Sequence, residues 1–262
     1  MTLKIATWNI NGVKARLETV KSWLEQSQPD IACLQEIKSV DENFPREAFE
    51  ALGYNVETHG QKGFNGVAIF SKLLFDEVNR GLPGDAEDEQ ARFIEGVFSV
   101  ENQALRVVSL YLPNGNPVTE DRKFGYKLRW MKRLEAFATE RLTLEEPLIL
   151  AGDYNVIPMA EDCHDPAVWE GDALFRPESR EQFRRLSNLG FSDALRATSD
   201  KIAFTFWDYQ AGAWQKDHGI RIDHLMCSPE AMDMVHSVDV EKHVRAWEKP
   251  SDHVPVIAHI SR

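Results

Sequence analysis

The chain has 262 residues, 43% hydrophobic and 10% aromatic with seven tryptophans, a composition that excludes a disordered chain and supplies one large core. Lys and Arg total 30 against 42 Asp and Glu, a formal net charge of −12, so any nucleic-acid contact must use a local basic surface. Cys33, Cys163 and Cys227 are odd in number and far apart, which excludes a disulfide framework or a CxxC metal site and points to a reducing compartment. No apolar run approaches the roughly 20 residues of a membrane span and the N-terminus lacks the apolar region of a secretion signal, so a cytoplasmic protein with no membrane partner is expected. No Pro/Gly/Ser-rich linker divides the sequence, and residues 1–262 are expected to form a single domain.

Taken in order, Leu3 to Ile10 alternates as a first strand and ends at Asn9-Ile10-Asn11-Gly12. Val13, Leu17, Val20 and Leu24 mark one stripe of a helix over 13–27, stopped by Pro29-Asp30. Ile31 to Lys38 is a second apolar strand with Glu36 near its end. A helical stretch near 45–52 and strands at 54–59, 66–72, 92–100 and 105–112 follow, with 81–90 a solvated hairpin connection. The last of these strands runs into Tyr111-Leu112-Pro113-Asn114-Gly115. Residues 120–142 form a long helix on the stripe Phe124, Leu128, Met131, Leu134 and Ala138. Its other faces carry Arg122, Lys123, Lys127, Arg129, Lys132 and Arg133, which read as a solvated face or as a DNA contact.

Residues 147–155 are an apolar run that stops on Gly152-Asp153-Tyr154-Asn155. They read as a buried strand in which Gly152 permits a tight bend and presents Asp153 and Asn155 at its end; the plain alternative is a simple turn. The following stretch to about 180 has no clear period and exceeds an ordinary connection, so it is either functional or disordered. A helix over 181–189 stops at Gly190, residues 205–209 form an aromatic patch, 220–226 is a strand carrying Asp223, and the final strand starts at Ser251-Asp252-His253.

Strand termini far apart in sequence thus carry Asn9 and Asn11, Glu36, Tyr111 and Asn114, Asp153 and Asn155, Asp223, and Asp252 with His253. Layered α/β folds gather such termini along one edge. Carboxylate and amide oxygens without thiolates or paired histidines favour a hard cation, most simply Mg²⁺, with Glu36 the leading ligand. The same groups suit phosphodiester hydrolysis: a carboxylate activates water and an imidazole steadies charge on the phosphate. A carboxylate beside an imidazole would fix its tautomer and favour its protonated form. The Cys163-His164 pair is a weak metal signal because no second pair accompanies it.

Thr7-Trp8-Asn9-Ile10-Asn11-Gly12, Leu34-Gln35-Glu36-Ile37-Lys38, Leu110 to Gly115, Gly152 to Asn155, Arg221-Ile222-Asp223-His224 and Ser251 to Pro255 together resemble the exonuclease III family of apurinic/apyrimidinic endonucleases, within the endonuclease/exonuclease/phosphatase superfamily. The resemblance implies a four-layer α/β sandwich of two packed β-sheets flanked by helices, with a Mg²⁺ site at one end (Mn²⁺ as the alternative ion). It implies that Glu36 is the main metal ligand with Asn9 and Asn11 close by and Asp252 reaching the metal or its water. Asp153 would activate the water and Asn155 hold it or the phosphate. His253, oriented by Asp223, would contact the scissile phosphate, with Tyr111 and Asn114 on the phosphate or leaving-group side. Phe206, Trp207 and Ile222 match positions that form an apolar pocket for the baseless sugar; otherwise they are core aromatics and aliphatics.

The implied activity is incision of double-stranded DNA 5′ to abasic sites, trimming of 3′ ends, or both, by a monomer. The competing readings are a relative of the same fold acting on RNA or on lipid or inositol phosphates, and a non-enzymatic nucleic-acid-binding module on an inactive scaffold. The last conflicts with the joint presence of Glu36, Asp153, Asp223 and His253.

Overall fold

The structure is a computed structural model and describes residues 2–261. Its strands form two six-stranded sheets. The first runs in the order β11 (Val235–Val240), β12 (Val256–Ser261), β1 (Thr2–Asn9), β2 (Ile31–Gln35), β4 (Val67–Ser71) and β3 (Asn55–His59). The second runs β5 (Glu77–Arg80), β6 (Phe93–Val100), β7 (Gln103–Tyr111), β8 (Leu148–Asp153), β10 (Asp223–Cys227) and β9 (Ser192–Asp193).

Period-two alternation decides which side chain meets which layer. Leu3 and Ile5 of β1, with Ile149 and Ala151 of β8, enter the core between the sheets, while Ala6 and Trp8, and Leu148 and Leu150, face outward. The outward faces are not solvated: α1 (Leu17–Ser27) and α2 (Arg46–Glu50) cover the first sheet. On the second lie α3 (Phe124–Leu142) and α5 (Pro177–Leu189), and burying a large apolar side chain in such layers stabilises the fold by ~1.5–3 kcal/mol. Strands buried on both faces read as continuous apolar runs, which is how β2 and β8 appear in the sequence. The expected four-layer sandwich is the observed one.

Several local expectations shift. α1 starts at Leu17 rather than 13, and α5 starts at Pro177, whose missing N–H suits a first helical turn. The stretch after Asn155 is ordered: it holds a 3₁₀ turn, Ala160–Asp162, and a short helix α4 (Pro166–Trp169), and it packs Ile157 and Leu174 against Ile220 and Ile222. β5, β9, β11 and the short helices α6 (Ala194–Thr198) and α7 (Pro229–Met232) carry too few periodic residues to read from sequence. Gly152 makes no bend. It lies inside β8, where an added Cβ would stand 2.0 Å from the Leu110 carbonyl oxygen, so it allows close strand approach and the turn falls at Asn155, φ 46°.

The topology itself assembles one edge. β1 and β2 are parallel with Asn9 opposite Gln35, and β7 and β8 are parallel with Tyr111 opposite Asp153, so their C-terminal ends lie side by side. β10 enters antiparallel with Asp223 opposite Asp153, and β12 pairs antiparallel with β1, Val256 opposite Thr7, which places the residues just before β12 beyond Asn9.

Candidate active site

At that edge the Asn9 side chain joins the two sheets. Its Nδ2 donates to Glu36 Oε1 and to Asp153 Oδ2, both at 2.9 Å, and its Oδ1 accepts from the Asn11 backbone N–H at 3.0 Å. Asn11 Nδ2 donates to Asp252 Oδ1 at 3.1 Å. The Asn155 backbone N–H donates to Asp153 Oδ1 at 2.9 Å, and Asn114 Nδ2 donates to Asn155 Oδ1 at 3.1 Å. Asp153, Asn155, Asp223 and His253 are buried, Glu36 and Tyr111 half-buried, and Asn114 exposed. The strand-end residues named from the sequence therefore converge.

His253 Nδ1 lies 2.8 Å from Asp223 Oδ2, and its Nε2 lies 3.7 Å from Asp153 Oδ2, an ion-pair distance rather than a hydrogen bond. Burial disfavours the imidazolium, but the carboxylates of Asp223 and Asp153 outweigh it and push His253 up to about 10. Burial pushes Asp153 up to about 7; the His253 charge and the Asn9 and Asn155 donors pull against this and Asp223 adds to it. Burial also raises Glu36, yet hydrogen bonds from Asn9 and Lys38 and the Lys38 charge leave it below the ordinary range. Tyr111 is pushed well up, by burial first and then by Glu36 and Asp153, which keeps its phenol protonated.

Two features test whether a cation fits. Lys38 Nζ lies 2.8 Å from Glu36 Oε2 and 2.5 Å from Asn11 Oδ1, so these oxygens already hold a positive charge. Ligand atoms of Asp153, Asp223 and His253 also lie within 4.8 Å of one another, and the buried Asp223 Oδ1 has no hydrogen-bond partner. The carboxylate and amide oxygens of Glu36, Asn11 and Asp252 are donors that suit a hard divalent ion, whereas His253, an imidazolium bonded to Asp223, is not free to ligate one. The Cys163-His164 pair forms no such group among the described residues: Cys163 is buried, and the His164 ring stacks on His218 at 4.4 Å.

The apolar pocket is met only in part. The Phe206 ring is half-buried and stands edge-on to His253 at 5.0 Å. Trp207, the next residue, points the opposite way, as alternation along an extended segment requires. It is fully buried, packs on Trp214 and donates its indole N–H to Asp217, so it offers no face to a substrate, a correction to the sequence expectation. Ile222 is likewise buried, within the cluster of Ile157, Leu174 and Ile220.

Three supporting residues escaped the sequence reading. Ser251 Oγ donates to the Asn9 carbonyl at 2.7 Å and accepts from the His253 N–H at 3.2 Å, and Thr205 Oγ1 accepts the N–H groups of Ile222 and Asp223. Lys127 does not belong to a solvated face: it is fully buried beneath Asn114 and Asn155. Its signal was present, because Lys127 falls three residues after Phe124 and four before Met131, inside the apolar stripe.

Such a site can draw charge from a phosphate on one side and activate water on the other, which is the work of a phosphoester hydrolase. Residues 6–253 match the Endonuclease/Exonuclease/phosphatase family, and the chain belongs to it. It is 35% identical to an exodeoxyribonuclease III of Haemophilus influenzae, over 98% of this chain and 99% of that one, and 30% identical to an exodeoxyribonuclease of Bacillus subtilis, over 97% and 98%. Among solved structures it resembles an AP endonuclease from Archaeoglobus fulgidus (TM-score 0.93, 33% identity, 99% of this chain and 100% of that one). It also resembles a 3′-5′ exonuclease from Neisseria meningitidis (TM-score 0.94, 36% identity, the same coverage). The protein is a phosphodiester hydrolase of a metal-dependent family, and its donor set fits that dependence.

Proposed function

We propose that the protein is a Mg²⁺-dependent DNA-repair phosphodiesterase that incises double-stranded DNA 5′ to abasic sites, removes nucleotides or blocking groups from 3′ ends, or does both. The observation that carries this reading is the Asn9 amide bonded at once to Glu36 and Asp153, which sets a metal-binding carboxylate beside a water-activating one. Family membership and the exonuclease and AP endonuclease relatives support the substrate class. Glu36, with Asn9, Asn11 and Asp252 near it, would hold the ion, Mn²⁺ being the alternative. The ion would neutralise charge on the phosphate when bound.

The chain's own groups supply the rest. Asp153, held near neutrality by its burial, accepts a proton from the attacking water as the new P–O bond forms. Asn155 and Asn114 orient the phosphate by their amides. The His253 imidazolium places Nε2–H toward a non-bridging oxygen, and Asp223 accepts its Nδ1–H and so fixes the orientation of the ring. The P–O3′ bond breaks, and the protonated Tyr111 phenol can donate to the leaving oxygen. Phe206 forms one wall for a sugar without a base.

The free thiols of Cys33, Cys163 and Cys227 support a reducing, cytoplasmic setting. The core shared by both sheets supports one catalytic domain over 1–262, which we propose acts as a monomer. The test is a labelled duplex with one central abasic analogue, incubated with wild type or Asp153→Asn, with Mg²⁺ or with EDTA. A single cut 5′ to the lesion, lost with EDTA and in the variant, is expected. A ladder from the 3′ end alone would confine the enzyme to end trimming. An intact duplex, with turnover of RNA or of lipid or inositol phosphates instead, would overturn the substrate.

A further inference from the structure

Lys127 lies in the first turn of α3 with no exposed surface, although it is a lysine. Its Nζ donates to the carbonyl oxygens of Asn155 at 2.6 Å and Asn114 at 3.0 Å. These two residues leave β8 and β7 by separate loops, joined by Leu112 N–H to the Asp153 carbonyl at 2.9 Å, by Asn155 Nδ2 to the Leu112 carbonyl at 2.9 Å and by Asn114 Nδ2 to Asn155 Oδ1 at 3.1 Å, and Lys127 adds the bonds that tie both main chains to α3. The Lys127 stem also fills the space under the Asn114 loop, since a Cβ on Gly115 would stand 2.7 Å from Lys127 Cδ. Asn155 is left-handed at φ 46° and Gly115 is at φ 90°. The Asn155 backbone is therefore held in a conformation that costs a non-glycine residue free energy, whereas Gly115 takes its turn without strain.

We propose that Lys127 is a positioning residue for phosphodiester cleavage: its buried Nζ clamps the main chains of Asn114 and Asn155 so that their side-chain amides, and through the Asn155 N–H the Asp153 carboxylate, converge on one phosphate. The proposal rests on the nuclease reading above. A lysine suits this post because one nitrogen at the end of a long apolar stem can donate to two carbonyls at once. Charge-assisted bonds to both resist loop fluctuation more than neutral ones. A lysine kept only for packing would be an expensive choice, because an apolar side chain of similar length fills the same space without burying a charge.

The test compares wild type, Lys127→Met and Lys127→Arg on the abasic duplex. Lys127→Met is expected to lower kcat about 10- to 100-fold with KM within about threefold, the size of loss that a misplacement near 1 Å produces. Lys127→Arg, which keeps charge and donors, is expected to retain several times the Met variant's kcat. Hydrogen exchange measured by mass spectrometry should rise in Lys127→Met in peptides spanning 112–117 and 153–158, without substrate or metal present. Melting near the wild-type temperature with an unchanged kcat, or unchanged exchange in both peptides, overturns the proposal. Should Lys127→Met not fold, Lys127→Gln is judged by the same criteria. An inactive wild type refutes the nuclease reading, whereas an active wild type matched by Lys127→Met refutes only the clamp.

Discussion

Neutralising Asp223 separates its two contributions to His253. Its Oδ2 lies 2.8 Å from His253 Nδ1, while its Oδ1 bonds to nothing. Thr205 fixes the Asp223 backbone, so the side chain can change without moving the strand. A hydrogen bond to a charged group contributes ~1.5–3 kcal/mol. At about 1.4 kcal/mol per tenfold, loss of it in the transition state lowers kcat/KM roughly 10- to 150-fold. Asp223→Asn keeps an oxygen that can accept the Nδ1–H and loses only the charge, so it belongs at the lower end of that range, and Asp223→Ala at the upper end. The pH dependence has a definite sign. In wild type the imidazolium persists to about 10 because the two carboxylates outweigh burial; without the Asp223 charge burial dominates more and the pKa falls. Activity that needs the imidazolium then declines with rising pH earlier in the variants. Cleavage of a base-stable abasic analogue, followed from pH 6 to 9.5, should be nearly level on the alkaline side for wild type and should fall within the range for Asp223→Asn. Both variants within threefold of wild type and unmoved in pH would refute this account of His253.

Lys127 should leave a signature in stability as well. Burial depresses it to about 7 from an ordinary 10.5, so the unfolded chain binds more protons between these values and the cost of burying it is full below pH 7 and fades toward pH 10.5. The stability of Lys127→Met relative to wild type should therefore be highest at pH 6 and lowest at pH 10 in urea unfolding, whatever the lost bonds to Asn114 and Asn155 subtract at every pH; a pH-independent difference would contradict the burial argument. Arg221, buried with Asp162 at 2.7 Å and Asp193 at 2.6 Å, anchors the 160–163 turn to the residues before β10. Asp162→Asn strips part of the charge facing Arg221 but leaves it paired with Asp193, and unfolding should show a loss of ~1.5–3 kcal/mol; under 1 kcal/mol would mean that the cluster relaxes. Gly115→Ala forces a side chain into a left-handed backbone and onto Lys127. It should cost about 1–2 kcal/mol from the backbone alone and lower kcat, and normal turnover would show that the Asn114 loop tolerates displacement.

What could be read from the sequence was set by periodicity and by chemical type. Strands buried on both faces, such as Ile31–Gln35 and Leu148–Asp153, announce themselves as apolar runs, and each ends on a polar group because the chain leaves the core there. Hence Asn9, Glu36, Tyr111, Asp153 and Asp223 were legible as strand ends, and topology brought them together. Edge elements such as Val235–Val240 were not, since half their side chains are exposed and no strong pattern remains. Orientation was the other limit. Phe206 and Trp207 look alike in sequence, and only the direction of the extended segment sends one to His253 and the other into Trp214. Gly152 and Lys127 failed for a related reason: a glycine suggests a turn and a lysine suggests water, until a neighbouring strand or a pair of carbonyls claims the position.

The site also shows why so many of its residues depart from ordinary backbone. Asn11, Glu36, Lys38 and Asn155 all have positive φ, between 46° and 51°, a conformation that costs of order 1–3 kcal/mol at a non-glycine residue. Each sits one to three residues past a strand end, where ladder bonds continue to constrain the main chain: Ile10 N–H to Gln35 O at 3.0 Å, Gly12 N–H to Glu36 O at 2.7 Å, and Lys38 N–H to Asn65 O at 3.0 Å. The sheets thus force the chain to turn left-handed immediately beyond the last paired residue, and that turn aims Glu36 and the Asn11 amide back across the edge rather than out to solvent. A loop free to choose ordinary φ values would carry the same side chains away from Asp153. The strain at these positions is therefore the geometric condition for bringing a carboxylate of one sheet within reach of a carboxylate of the other, with Asn9 as the bridge.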